Sequence, residues 1–254
     1  MNPPVPDFSL LLAPLTAGLV VLATHVPLGT TVLRRGIIFI DLAVAQVAAL
    51  GVIVAGLLQL DETWGSLATQ LAAGIAAIGA AILLTYCERR WPDIQEALIG
   101  LLFVFAAAAG ILLLAGNPHG GEHLRDLLAG QILWVSWYQI GVVATLSAVV
   151  LAARSWLARH GKGDGFAFYV LFAVAVTASV QLVGVLLVFA SLIAPAVATR
   201  ALSGRLRTPA AFLVAALAYA AGLGISLTVD LPAGAAVVCA LGVAAIGGLL
   251  LFKD

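Results

Sequence analysis

The sequence predicts an all-α, polytopic bundle of membrane-spanning helices, and three observations carry that reading. Of 254 residues, 63% are hydrophobic and only 9% charged, where soluble domains carry roughly 25% charged residues, and the mean hydropathy is +1.15. Apolar runs near 20 residues recur, the length needed to cross a bilayer, whereas the alternating ten-residue strands of a barrel do not. The lysines and arginines gather in alternate connections between those runs. Backbone in lipid must satisfy its own hydrogen bonds, so such runs become helices. Eight or nine segments fit, with a broken or short element around 184–201, in one transmembrane domain over 1–254.

The N-terminus, MNPPVPDFSLLL, lacks the positive region of a signal peptide, so the first run stays as a helix. That first span covers about 8–28 and leads to Arg34 and Arg35. The second, about 36–60, ends at Asp61 and Glu62. The third, about 65–86, leads to Glu88, Arg89 and Arg90. The fourth, about 97–115, opens into the polar loop GNPHGGEHLRD. An amphipathic stretch at 127–136 precedes a fifth span that ends near 153, followed by Arg154, Arg159 and Lys162. Apolar sequence then runs from 166 to 199, with Arg200, Arg205 and Arg207 behind it. Two last spans cover about 210–228 and 232–252. Many alanines and glycines, among them Gly74, Gly79 and Gly110, permit close helix packing.

Eleven of the twelve basic residues fall in the connections after spans one, three and five, in 200–207, or at Lys253; Arg125 is the exception. The positive-inside rule then puts the N-terminus outside and the connections 29–36, 87–96 and 154–165 inside. The stretch 166–199 must therefore begin and end inside. Either two short helices parted at Gly184 or a broken, re-entrant element shielded by protein meets that demand. Its end, 181–209, is rich in small residues (Ser191, Ala194, Pro195, Ala196, Ala198) and meets a basic cluster starting at Arg200. Proline removes a backbone donor, so Pro195 marks a bend or a helix start. Two readings fit: a short helix presented at the inner face for a soluble partner to push on, or an ordinary span end with a basic flank.

Asp41 carries the most chemical information, because a carboxylate inside a span is costly and marks a functional position. Gln46 follows on the same helix, but five residues turn it by about 140°, so the two side chains do not stack. Asp41 is either a polar stop for a cation or an interfacial partner of Arg34 or Arg35. His119, Glu122 and His123 place nitrogen and oxygen donors in one outer loop, where they form either a weak divalent-cation cluster or plain solvated sequence. His25, near the inner end of the first span, fits packing or hydrogen bonding better than ligation, and His160 sits in a basic inner connection. Glu96 and Asp230 each suit a helix cap. Cys87 and Cys239 do not suggest a disulfide framework. Gly161-Lys162-Gly163 lacks the spacing and the Ser or Thr of a phosphate-binding loop, so any ATPase is another chain. No basic block suggests nucleic acid.

Several pieces together resemble the permease subunit of the ATP-binding-cassette importers for zinc, manganese and iron(II). They are PLGTTVLRR at 27–35, the Asp41 helix to Gly51, QEALIG at 95–100, LLAGQIL at 127–133, GVLLVFASLIAPAVATR at 184–200 and DLPAG at 230–234. The resemblance implies a homodimer in a prokaryotic cytoplasmic (inner) membrane, two cytoplasmic ATPase subunits that bind ATP, and an extracytoplasmic metal-binding protein. It assigns ATPase coupling to the segment holding Ser191, Ala194, Pro195, Ala196 and Arg200. The family places a histidine four residues after the aspartate; here that position is Ala45, with Gln46 one step later. Glutamine is a poorer zinc ligand than imidazole.

The expectation is thus a permease for a divalent metal, zinc or manganese, with Asp41 and Gln46 as a transient stop. The chain itself is not an enzyme: it has no catalytic residue and no bound cofactor. The competing class is an ion-coupled secondary transporter without an ATPase, for which more buried carboxylates and a repeat between halves would be expected.

Overall fold

The computed structural model describes residues 8–60, 65–115, 132–161 and 165–251, and the apolar runs among them form nine α-helices. These are α1 (Leu12–Arg35), α2 (Ile40–Leu57), α3 (Ser66–Arg90), α4 (Gln95–Leu114), α5 (Trp137–Arg159), α6 (Phe166–Val183), α7 (Val185–Ala198), α8 (Arg207–Val229) and α9 (Ala233–Leu251). Eight of them are long and apolar enough to cross a membrane; the shorter one is α7, with 14 residues. At about 1.5 Å per residue α7 rises about 21 Å, short of a hydrocarbon core of about 30 Å.

The helix ends follow local chemistry. Instead of stopping near Leu28, α1 continues through Pro27 to Arg35 and closes on Gly36 in the left-handed region (φ 72°). Arginines in that last turn suit the negative end of the helix dipole. Helix α5 starts at a capping box: the Ser136 hydroxyl accepts the Gln139 N–H, and the Gln139 side chain accepts the Ser136 N–H. Of the amphipathic stretch at 127–136, residues 132–134 form a short 3-10 turn and 127–131 lie outside the described residues.

The stretch 166–199 resolves into two helices, and the break is Gly184. Its φ of 86° and ψ of 162° belong to a region essentially reserved for glycine. Pro195 is not a helix start: it lies inside α7, three residues before the last one. Asp230 is not the cap of the last span either. It closes α8 in the left-handed conformation (φ 55°), and α9 begins at Ala233.

Small residues decide how the helices approach. Gly29 of α1 lies against the Leu192 backbone of α7, and Gly248 of α9 lies against the Ala198 backbone of the same helix. A methyl group at either glycine would overlap main-chain atoms, so α7 is held at backbone distance from both sides. Gly51 of α2 meets Ala72 of α3 in the same way. Helix α1 also packs against α5 and α8, while α6 packs against α3, α5 and α2. The buried core runs through all of these contacts.

The arginines assemble at one end of the bundle. Arg34 and Arg154 line one recess, and Arg34, Arg200 and Arg207 line its neighbour. Arg35 pairs with Glu88 at 3.6 Å and lies 4.4 Å from the Phe168 ring centroid.

Candidate functional site

Asp41 is the second residue of α2, at the arginine-bearing end, and is only 1% exposed. Neither of its carboxylate oxygens has a side-chain partner; the nearest donors are the Asp41 and Leu42 amides at the start of α2, too poorly aligned for full hydrogen bonds. The pairing with Arg34 or Arg35 is therefore not made. Arg35 turns instead to Glu88 and Phe168. A buried carboxyl group without a side-chain donor is costly, and its position is meaningful because α3, α4 and α6 all pack against α2.

Glu96 is the residue that the sequence reading undervalued. It does not cap its own helix: its Oε1 accepts the Phe39 N–H at 3.2 Å, at the residue preceding α2. A carboxylate at that position favours the positive end of the α2 dipole. Its second oxygen, Oε2, is buried without a partner. Its place in the QEALIG piece was visible; its partner, 57 positions away, was not. The Phe39 ring in turn stacks on Phe189 of α7, with centroids 6.3 Å apart and planes within 8°. The start of α2 is thus tied by Glu96 on α4 and by Phe189 on α7, two residues before Asp41.

Gln46 is half-buried and shares no hydrogen bond with Asp41. The 140° step separates them as the helix geometry requires. His119, Glu122 and His123 lie outside the described residues. Among the described residues, no group of three or more His, Cys, Asp or Glu side chains is placed to hold a metal ion. His25 is fully buried; its Nδ1 bonds the Val21 carbonyl at 2.9 Å, and its Nε2 has no partner.

Of the residues expected to couple to an ATPase, only Arg200 is exposed. Ser191, Pro195 and Ala196 are buried and Ala194 is half-buried. Ser191 donates to the Leu187 carbonyl at 2.6 Å or shares its proton with Tyr219 at 2.7 Å, which joins α7 to α8. The small residues of this segment therefore serve its packing: they let α7 sit between Gly29 and Gly248. Of these positions, the surface-accessible one is Arg200.

A model of the ABC 3 transport family matches residues 7–160 and 165–251. The manganese transport system membrane protein MntC of Halalkalibacterium halodurans is 26% identical over 253 residues, covering 91% of this chain and 84% of that relative. Among solved structures, PsaBC from Streptococcus pneumoniae in complex with Fab superposes with a TM-score of 0.77. The match has 21% identity and covers 97% of this chain and 93% of that one. At that identity the likeness concerns the fold.

Proposed function

Because the chain belongs to the ABC 3 transport family, we propose that it forms the membrane pathway of an ATP-driven importer for a divalent metal cation. Two copies would line the pathway, an extracytoplasmic binding protein would deliver the cation, and ATPase subunits at the arginine-bearing end would drive release. Manganese is the favoured cargo. The relative named above is a manganese transport protein, and a hard cation needs carboxylate and amide oxygens rather than the imidazole replaced here by Ala45. Zinc, which favours nitrogen and sulfur, fits this donor set less well. The family match favours ATP-driven import over ion-coupled secondary transport.

The observation that carries the reading is Asp41: buried, with no side-chain partner, two residues after the Phe39 N–H that Glu96 holds. A divalent ion passing this point would meet the Asp41 and Glu96 carboxyl groups, and its charge would favour their ionised forms. One protomer supplies too few donors for tight binding, which suits a stop that must release its cargo. Gln46, His119, Glu122 and His123 are secondary candidates for the same path.

The test is manganese-dependent ATP hydrolysis by the permease assembled with its ATPase and binding protein, compared with Asp41→Ala. The expected outcome is stimulation by loaded binding protein in the wild type, reduced about tenfold or more in the variant while the complex still assembles. A tenfold loss corresponds to about 1.4 kcal/mol at the affected step. Undiminished stimulation in the variant would reduce Asp41 to a structural charge. No stimulation of the wild type by any first-row metal would remove the importer reading itself.

A further inference from the structure

At the arginine-bearing end, α1, α5 and α6 leave a recess of about 270 Å³ that the transport reading does not use. Its polar side holds Arg34, Arg154 and Thr31; its apolar walls are Leu28, Leu157 and Leu171. The Arg154 guanidinium donates from Nη2 to the Thr31 hydroxyl at 3.2 Å, and that hydroxyl donates to the Pro27 carbonyl. This bond holds the half-buried arginine in place but neutralises nothing. Arg34 and Arg154 are close enough for their like charges to act on each other, and among the described residues no carboxylate lines the recess. By contrast, Arg35 in the same segment has Glu88. Arg34 is also shared with the adjoining recess that holds Arg200 and Arg207, where the Arg207 Nε is buried without a partner. The exposed Trp156 ring lies tilted against His160 at the same end of α5, the amphipathic kind of side chain that sits at headgroup level.

Two guanidinium groups without an acid call for an anion, and their forked donors match phosphate oxygens. The apolar walls select among phosphates. Free phosphate gains nothing from Leu28, Leu157 and Leu171, whereas a lipid places its upper acyl carbons there. An acidic protein partner would need arginines that stand clear of the bundle, but Arg154 is half-buried and tied back to Thr31. We propose that this recess binds the phosphate of an anionic phospholipid headgroup between Arg34 and Arg154.

Native mass spectrometry of the purified full chain, released from mixed micelles holding phosphatidylglycerol and phosphatidylcholine in equal amounts, tests the assignment. Phosphatidylglycerol is expected to be retained in preference to phosphatidylcholine. R34Q should lower its retention about fivefold, and R34Q/R154Q about 25-fold, from roughly 1 kcal/mol for each basic residue near an anionic surface. Arg34 is exposed, so the single variant keeps the test open if the double one fails to fold. R89Q/R90Q, which removes two exposed arginines outside the recess, should leave retention unchanged. Equal retention of the two lipids by the wild type, or equal losses in R34Q and R89Q/R90Q, would overturn the site. Displacement of the lipid by millimolar inorganic phosphate would make it a free-anion site. Unchanged lipid retention in R34Q/R154Q together with loss of the copurifying ATPase would assign the arginines to that partner instead.

Discussion

Asp41 was legible in the sequence because an acid inside an apolar run is rare enough to stand out by itself. Glu96 was visible too, but its role was not, since what it caps lies on another helix. The Ser191–Tyr219 pair was out of reach for the same reason: a serine among alanines reads as one more small residue until α8 brings a phenol to it. Both side chains are fully buried, so removing one hydroxyl leaves the other without its cross-helix partner. Ser191→Ala, which orphans the Tyr219 hydroxyl, should lower stability by about 1 kcal/mol, and Tyr219→Phe by less, because Ser191 keeps its bond to the Leu187 carbonyl. The double variant should cost little more than Ser191→Ala alone, because no orphan is left. Thermal or denaturant unfolding in detergent, read as a double-mutant cycle, checks this; strictly additive losses would mean that the two groups do not share one bond.

At the level of helices, most boundaries were readable from apolar run length and flanking charge, and Gly184 was readable as a break because two short segments had to fit between basic flanks. The interior position of Pro195 was not readable. A proline near a helix end keeps its own carbonyl available, and here that carbonyl accepts both the N–H and the hydroxyl of Thr199. The tight seat of α7 was equally hidden, since glycines at 29 and 248 look no different in sequence from those that face open space. The structure separates them: Gly29 and Gly248 meet backbone, while a methyl group at Gly247 meets nothing within 4 Å. Gly29→Ala and Gly248→Ala should therefore each destabilise the protein by about 1–3 kcal/mol, the usual cost of overpacking, and Gly247→Ala should not. Thermal unfolding of the three variants side by side decides it, and equal behaviour of all three would contradict the contact.

For the whole molecule, charge counting foresaw the gathering of arginines at one end, because each helix reverses direction and carries its flank with it. It could not foresee which arginines would share a recess, as Arg34 and Arg154 do from positions 34 and 154. If that end lies in the cytoplasm, as the positive-inside rule proposes, a cysteine placed at the exposed Ala201, in a chain with Cys87 and Cys239 replaced by alanine, should react with an impermeant maleimide in inside-out vesicles and stay silent in intact cells. The reverse pattern would invert the assignment. By order in the sequence, eleven basic residues and six acidic ones belong to the arginine-bearing end, and one basic and six acidic to the other, so the formal net charge of zero hides two opposite poles. Each elementary charge moved across a membrane potential of 100 mV involves about 2.3 kcal/mol. In the orientation that the positive-inside rule proposes, an inside-negative voltage would hold the molecule one way up. In the import reading proposed above, the same voltage would also draw a divalent cargo inward.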